Sequence, residues 1–498
     1  MSIKNDLKKQ KLDDDKKYNR AKIWQLFCFS CNNLSTNLPY MIISFYLLFY
    51  AQNYLLLSAV IVGWVITGMR IFDGITDPLI GFLIDKTDTK FGKFRPWMVV
   101  GNIIINVTFI MMFTMVNTEW SATVKLLTFV GFYVIHIIGY TMQTAATKGG
   151  GTVITSDPQQ RPLLGAFYGA LSMIFAMLFM SYIPLLAQKY PLNMLDPGFW
   201  NQVTWITVGL SVFFMIVAVI GIWKKDVPEN YNGFATAKVK LRDFITIMKH
   251  NKAIQMLIIA ASTDKLAFSM QGAITVYFYA NVLMNQNIQS VMSLISIPVS
   301  IIFIIIGTII GKRVTQRKAF VAITWVGLIT SALGILFFPK VGAEISSINL
   351  IIFLFIFTMR SGAATVTGGF VTSMISDCAD YEMYLTGRAV PGMMGTLFSF
   401  VDKLVSSMNG LVISLMFGIF ALQNTVIEPL TPATNYEGLT MIIIVGLFVM
   451  PILGYVASVI SMKYYPLNKT KMDEVKETIA LYKERDADER AERPVIEK

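Results

Sequence analysis

The chain is poor in charged residues and in the residues that build catalytic and metal sites. Only 15% of its 498 residues are charged, whereas soluble domains carry about a quarter. Its two histidines, His136 and His250, lie far apart, and no His/Cys/Asp motif is visible, so the sequence predicts neither an enzyme nor a cofactor. Cys28 and Cys31 form a C-x-x-C in an apolar segment without a second pair, which favours small buried residues over redox or zinc chemistry.

Long apolar runs are what the chain has instead. Hydrophobic residues make up 54% of it, and the mean hydropathy is +0.57. Residues 98–116 and 438–462 carry no charge, and each run is long enough to cross about 30 Å of hydrocarbon as a helix. We therefore expect an all-α polytopic membrane protein. The charged stretch 1–22 does not read as a cleavable signal peptide.

The apolar pattern predicts about twelve transmembrane helices. They are expected near 23–50, 58–84, 98–116, 124–147, 163–188, 200–223, 253–283, 288–310, 319–338, 346–372, 391–422 and 438–462.

The loops between these helices alternate in Lys and Arg content. The rich set holds Lys86, Lys90, Lys93, Arg95, Lys148, Arg161, Lys224, Lys225, Lys238, Lys240, Arg242, Lys249, Lys252, Lys312, Arg313, Arg317, Lys318 and Arg388. The opposite set holds only Lys125, Lys189 and Lys340. Positive residues favour the cytoplasmic side, so both termini are expected there. This topology explains the net charge of +11 better than a nucleic-acid partner does.

The longest internal polar segment divides the chain into two six-helix halves. We expect a cytoplasmic segment 1–22, an N-terminal bundle 23–223, a central cytoplasmic loop 224–252, a C-terminal bundle 253–462 and a cytoplasmic tail 463–498. "GFLIDK" at 81–86 and "GTIIGK" at 307–312 occupy equivalent places in the two halves. This is the architecture of the major facilitator fold, with a substrate site near the bilayer midplane.

Ionisable residues inside membrane helices mark pathways or pairs, because burying a charge in lipid is costly. In "RIFDGITDPLIGFLID" the second helix carries Arg70, Asp73 and Asp77 on one face, with Thr76 beside them. Two carboxylates one turn apart can share a cation or a single proton. The alternative is a structural pair with Arg70.

Two further helices each carry an adjacent acid and base. The seventh has Asp264 and Lys265, and the eleventh has Asp402 and Lys403. Adjacent residues point about 100° apart, so each needs a partner elsewhere. Cross-pairing between the helices, as Asp264 with Lys403 or Lys265 with Asp402, and contact with a substrate are equally open.

The fourth helix has a polar strip near its predicted cytoplasmic end. It consists of Tyr140, Thr141, Gln143, Thr144 and Lys148. Hydroxyl and amide groups in a bundle suit sugar hydroxyls, and they equally suit hydrogen bonds between helices.

The chain resembles the glycoside–pentoside–hexuronide:cation symporters, typified by the melibiose carrier. The resemblance covers nearly all of it. It is carried by "RIFDGITDPLIGFLID" with "KFGKFRPW", by "SDPQQR" at 156–161, by "MISDCADYEMYLTGRAVPG" at 374–392 and by "YYPLNKTKMDEV" at 464–475.

This resemblance implies cation-coupled uptake of glycosides by alternating access. Asp73 and Asp77 match the coupling-cation carboxylates, and Thr76 stands where the sodium-using carrier has an asparagine. Thr141 matches a threonine beside the cation site, and Lys403 matches a lysine near both sites.

The departures from the melibiose carrier fall on its sugar clamp. Asn37 and Thr144 replace two aspartates, Lys148 replaces a tryptophan, and Gly169 replaces an arginine. Melibiose is therefore not the expected substrate. With one carboxylate fewer, a proton is favoured over sodium as the coupling cation, while sodium at Asp73 and Asp77 stays open. Lysines near the pathway suit a uronide carboxylate.

The expected function is secondary active symport of a glycoside, oligosaccharide or hexuronide across a bacterial cytoplasmic membrane. Candidate substrate contacts are Asn37, Thr144, Lys148, Asp264, Lys265 and Lys403. The expected partners are the sugar and the lipid bilayer; the oligomeric state is not predicted. The alternatives are a symporter of the same fold for an amphiphile such as a lysolipid, which would need an apolar, laterally open cavity, and a non-transporting membrane sensor.

Overall fold

The computed structural model describes residues 19–116, 118–155, 157, 160–231, 241–340, 347–387, 391–422, 424–428 and 436–491. Several sequence features therefore lie outside the described residues. These are most of the N-terminal segment, residues 232–240 of the central loop with Lys238 and Lys240, parts of "SDPQQR", Arg388, and the end of the tail from 492.

Among the described residues, twelve helices are long and apolar enough to cross a membrane, which confirms the predicted all-helical fold. These spans, numbered 1 to 12 in chain order, are Ile23–Tyr54, Ala59–Ile84, Arg95–Met115, Ala122–Ile154, Leu163–Ala187, Pro197–Ile222, Lys252–Val282, Gln286–Gly311, Gln316–Leu336, Ile348–Thr386, Leu397–Ile419 and Glu437–Tyr464. A short helix, Leu241–His250, precedes span 7, and a tail helix, Lys469–Ala491, follows span 12.

Local sequence explains where several of these helices begin and end. Span 6 begins after Asp196, whose carboxylate accepts a hydrogen bond from the Gly198 N–H at 2.8 Å. Its first helical residue is Pro197, which needs no N–H partner there. Span 10 ends at Gly387, whose φ of +70° is a conformation that glycine adopts without strain.

Spans 4 and 10 run further than the sequence pattern indicated. Span 4 continues through the glycines at 149–151 to Ile154, and span 10 continues to Thr386. A Cβ built on Gly149 would lie 2.3 Å from the Phe94 ring, and one on Gly150 would lie 2.7 Å from the Phe29 ring. These glycines therefore serve close helix packing and do not end the helix.

The chain divides into two compact units that do not follow the two halves of the sequence. The first unit is Met1–Ala235 with Val276–Leu294 and Gly410–Leu439, and the second is Thr236–Thr275, Ile295–Asn409 and Thr440–Lys498. The C-terminal ends of spans 7 and 11 and the N-terminal end of span 8 thus belong to the first unit.

Within the first unit, hydrogen bonds join the segment after span 11 to the end of span 1. The Gln52 amide donates to the Leu422 carbonyl at 2.9 Å, and Asn53 Oδ1 accepts from the Ile427 N–H at 2.6 Å. A Cβ on Gly63 would lie 1.9 Å from Ser414 Oγ, so spans 2 and 11 approach each other closely there. Spans 1, 2 and 11 are therefore joined on the side opposite the Lys- and Arg-rich loops.

The second unit contains its own apolar core and the tail helix. Phe320, Met374 and Met462 are fully buried and belong to one cluster. The tail helix contacts the extension of span 10, where the Tyr384 hydroxyl donates to Glu474 Oε1 at 2.6 Å. Hydrogen bonds from Tyr384 and Lys471 lower the pKa of Glu474. The tail is thus attached to a membrane helix.

Candidate cation and substrate site

The carboxylate pair of span 2 lies against span 4, inside the first unit. Asp73 is only 1% exposed, and its Oδ1 accepts a hydrogen bond from Thr141 Oγ1 at 3.1 Å. Asp77, one turn further along span 2, is half-buried. The Tyr140 side chain lies within electrostatic range of both carboxylates.

Two threonine hydroxyls complete the cluster around Asp73. Thr76 Oγ1 and Thr141 Oγ1 are 2.9 Å apart. Each hydroxyl has one proton, and each also has a backbone carbonyl within reach: Thr76 Oγ1 is 3.0 Å from the Asp73 carbonyl, and Thr141 Oγ1 is 3.0 Å from the Ile137 carbonyl. When Thr141 donates to Asp73 instead, its hydroxyl favours the ionised carboxylate. The structure therefore brings together Asp73, Thr76 and Thr141, which were assigned separately from sequence.

Arg70 contacts the first span. Its guanidinium donates to the Tyr40 hydroxyl and to Ser44 Oγ, the latter at 3.4 Å, and it lies 4.6 Å from the centroid of the Tyr40 ring. The Tyr40 ring stacks on Tyr140 of span 4 with centroids 5.2 Å apart. Sequence reasoning missed Tyr40, although an aromatic residue one turn from Asn37 on the same helix was a usable signal.

The polar strip of span 4 separates into two kinds of residue. Gln143 is fully buried, and its amide donates to Asn32 Oδ1 at 3.2 Å and to Ser35 Oγ at 3.0 Å. Gln143 thus makes hydrogen bonds between helices, which was the alternative to a sugar contact for the polar residues of this helix. Thr144 is half-buried and Lys148 is exposed, so both side chains have surface available. Asn37 on span 1 is half-buried as well.

Within the second unit, the structure gives partners for three of the acidic and basic residues of spans 7 and 11. Lys265 Nζ forms an ion pair with Asp402 Oδ2, and the two side chains are 49% and 11% exposed. This is one of the two cross-pairings expected from sequence. Asp264 instead contacts span 12, where its Oδ1 lies 2.5 Å from Ser458 Oγ. Lys403 is half-buried.

Two buried charged groups were missed from sequence. Arg360 on span 10 is fully buried, with its guanidinium 4.9 Å from the Phe357 ring centroid and 5.5 Å from that of Phe448. The sequence does contain a signal for Arg360, because it is an isolated arginine within the apolar run of span 10. Asp226, after span 6, accepts from the backbone N–H groups of Phe94 and Arg95 at 3.0 and 2.9 Å.

The Asp226 contacts explain the "KFGKFRPW" motif. Gly92 has a φ of +93° and packs directly on Asp226, so the turn needs a residue without a side chain. The Tyr231 hydroxyl donates to Asp226 Oδ1 at 2.8 Å, and burial together with this hydrogen bond raises the pKa of Tyr231. The motif therefore fixes the loop between spans 2 and 3 to the end of span 6.

The fold is similar to that of a solved membrane protein. The structure is similar to the crystal structure of a D-xylose–proton symporter, with a TM-score of 0.63 at 13% identity, over 89% of this chain and 98% of that chain. Twelve spans among the described residues in this fold define a multi-pass membrane protein. The protein belongs to the MFS/sugar transport protein family, whose model matches residues 28–469.

Curated relatives agree with this assignment. The chain is 23% identical to a glucuronide carrier protein homolog of Escherichia coli over 78% of this chain and 82% of that protein. It is 24% identical to a lactose permease of Leuconostoc lactis over 80% of this chain, which spans 63% of that protein. The resemblance to glycoside–pentoside–hexuronide:cation symporters is confirmed. The expectation that the protein is not an enzyme is confirmed too, since the family consists of transporters.

Proposed function

We propose that the protein couples the entry of a cation to the uptake of a glycoside, oligosaccharide or hexuronide by alternating access. One observation carries the proposal: a buried carboxylate, Asp73, accepts a hydrogen bond from Thr141, which also contacts Thr76, and Asp77 lies one turn away. A buried carboxylate in a membrane helix is costly, and binding a cation or proton offsets that cost.

A proton is the coupling cation that this oxygen set favours. A hard metal cation needs several oxygen ligands at once, whereas a proton needs a single acceptor. The cluster offers two carboxylates and two hydroxyls, and both hydroxyls have protons to place in the hydrogen-bond chain. Thr144, in place of a third carboxylate, donates to the Thr141 carbonyl at 3.1 Å. Sodium remains the alternative cation.

The proposed sugar contacts in the first unit surround the stacked pair Tyr40 and Tyr140. Asn37 lies one turn from Tyr40, and Thr144 lies one turn from Tyr140. An aromatic surface beside amide and hydroxyl groups suits a sugar ring, which has apolar faces and polar edges. Lys148 is exposed on the same helix and supplies a positive charge for a uronide.

The lysines of the second unit are proposed as further substrate contacts. Lys403 is supported by the family resemblance, and Lys265 by its half-exposed side chain, although its ammonium is shared with Asp402. Asp264 is less suited to a sugar, because its Oδ1 already contacts Ser458. We place the protein in a bacterial cytoplasmic membrane, where it would meet its substrate on the outer face.

Uptake by the purified protein in sealed liposomes tests the proposal. A panel of radiolabelled glycosides, disaccharides and glucuronides should include at least one that accumulates against its gradient when a pH gradient is imposed. A lysolipid offered in the same assay should not accumulate. Accumulation of the lysolipid alone would favour the amphiphile carrier, and the absence of any transport would favour a sensor.

A further inference from the structure

Asp264 lies next to a close approach of spans 7 and 12. A Cβ built on Gly454 of span 12 would lie 3.0 Å from the Thr263 carbonyl oxygen of span 7. Thr263 Oγ1 in turn lies 3.4 Å from the Gly454 carbonyl oxygen. Small residues at such a crossing bring the two backbones together and exclude lipid and water.

The Asp264 carboxyl group is incompletely paired at this crossing. Oδ1 is 2.5 Å from Ser458 Oγ, while Oδ2 is buried and has no hydrogen-bond partner within the part of the chain that the structure describes. The neighbouring base, Lys265, directs its ammonium to Asp402 of span 11. An ionised carboxylate with one oxygen buried and without donors is strongly unfavourable.

The proton count at Ser458 leads to the same conclusion. Its single hydroxyl proton faces two oxygens, the Ala260 carbonyl at 2.9 Å and Asp264 Oδ1 at 2.5 Å. If Ser458 donates to Ala260, then the contact with Asp264 needs a proton from the carboxyl group. A protonated Asp264 donating to Ser458, which donates to Ala260, satisfies both contacts.

An ionisable residue of span 12 lies near this contact. Tyr455 is on span 12, one turn before Ser458, and lies within electrostatic range of both Asp264 and Arg360 of span 10. The Arg360 guanidinium is over the rings of Phe357 and Phe448. Tyr455 therefore interacts electrostatically with both the acid and the base.

From this geometry we propose that Asp264 is a proton-binding site of the second unit, held as a neutral carboxylic acid between spans 7 and 12. The ligand is a proton, donated through the carboxyl O–H to Ser458. The site is separate from the carboxylate pair of span 2, and it requires neither a sugar substrate nor a particular coupling cation. While the acid is neutral, spans 7 and 12 can pack closely. Loss of the proton would place a charge in that contact.

Infrared spectroscopy of the purified, lipid-reconstituted protein at neutral pH tests the proposal without any transported substrate. The wild-type spectrum should contain a carbonyl stretch of a protonated carboxylic acid that is missing in Asp264→Asn. The control variant, Asp402→Asn, removes an acid that is paired with Lys265 and should retain the band. A difference spectrum in which Asp264→Asn removes only a carboxylate band would overturn the proposal.

A second pair of variants keeps the test decisive if Asp264→Asn does not fold. Ser458→Ala removes the acceptor of the carboxyl O–H, so the acid band should move to higher wavenumber as its hydrogen bond weakens. Ser461→Ala, one turn further along span 12, should leave the band in place. An acid band that is absent from the wild type, or unchanged in Ser458→Ala, contradicts the assignment. Because this readout is spectroscopic, it is independent of whether the protein transports a sugar.

Discussion

At the scale of single residues, the account depends on Asp73 and its neighbours. Sequence was enough to single out Asp73, Asp77 and Thr76, because acids are rare in membrane helices and their spacing places them on one face. The contact between Thr141 and Asp73 follows from how spans 2 and 4 pack, and it entered the sequence analysis only through the family resemblance.

Replacing Asp77 by Asn should abolish gradient-driven accumulation. The half-buried carboxylate would no longer help to hold the cation, while the shape of the side chain is kept. Exchange of labelled for unlabelled substrate across the membrane, which needs no net cation movement, should persist. Asp88→Asn, outside the spans, is the matched control and should accumulate normally. Normal accumulation by Asp77→Asn would contradict the cation assignment.

Replacing Thr141 by Val should strengthen proton binding, because a hydroxyl that donates to Asp73 favours the ionised carboxylate over the protonated one. The change removes the donor to Asp73 Oδ1 and keeps the side-chain volume. A net hydrogen bond contributes about 0.5–1.5 kcal/mol, which corresponds to a gain in apparent proton affinity of about 2- to 12-fold. The measurement is the cation concentration at half-maximal uptake. An unchanged value in Thr141→Val would show that this hydroxyl plays no part.

At the scale of helices, close contacts depend on glycines that the sequence pattern alone does not explain. Gly221 and Gly209 are both on span 6. A Cβ on Gly221 would meet the Phe29 backbone nitrogen of span 1 at 2.8 Å, whereas one on Gly209 would meet nothing within 4 Å. The sequence shows two glycines in an apolar helix, and only the packing distinguishes them.

Gly221→Ala should therefore destabilise the protein, and Gly209→Ala should not. Forcing an extra carbon into a packed contact costs about 1–3 kcal/mol, since the Phe29 backbone cannot move aside as a side chain could. Alanine at position 209 should be neutral or slightly stabilising, because it favours the helix by about 1 kcal/mol over glycine. Thermal unfolding in detergent measures both. Equal melting temperatures for the two variants would count against the described contact of spans 1 and 6.

The ion pair of Lys265 and Asp402 should show coupling between spans 7 and 11. Neutralising Asp402 alone leaves a lysine without its partner, so Lys265→Gln with Asp402→Asn should be more stable than the two single effects predict. Since the Lys265 side chain is 49% exposed, the coupling should be modest, about 0.2–1 kcal/mol. A double-mutant cycle on the melting temperature measures it. Strict additivity would show that the pair contributes nothing.

Helix number and boundaries were largely predictable, because apolar runs and loop charge are strong signals in a membrane protein. Spans 4 and 10 ran further than expected, since the triple glycine at 149–151 and the polar end of span 10 resemble helix termini in sequence. The tail helix contacts that extension of span 10, and Glu382 within the extension accepts a hydrogen bond from Asn251 at 2.9 Å. Such contacts between distant parts of the chain are not visible in local sequence.

At the scale of the whole molecule, the family and the fold class could be predicted from sequence, whereas the division into compact units could not. The six-plus-six organisation is a property of chain order, but the C-terminal ends of spans 7 and 11 and the N-terminal end of span 8 pack within the first unit. Polar groups such as Gln52 and Asn53 make that packing. In sequence these two residues read only as the polar end of a helix.

The central claim, that a proton drives uptake through the span 2 carboxylates, is tested most directly by gradients imposed on sealed liposomes. A transported glycoside should accumulate when the outside is made acidic in sodium-free choline buffer. Uptake should rise as the external pH falls from about 8 to 6, and Asp77→Asn should show neither response. Accumulation that requires a sodium gradient and ignores the pH gradient would contradict the account, and would make Asp73, Asp77 and the threonine hydroxyls ligands of sodium.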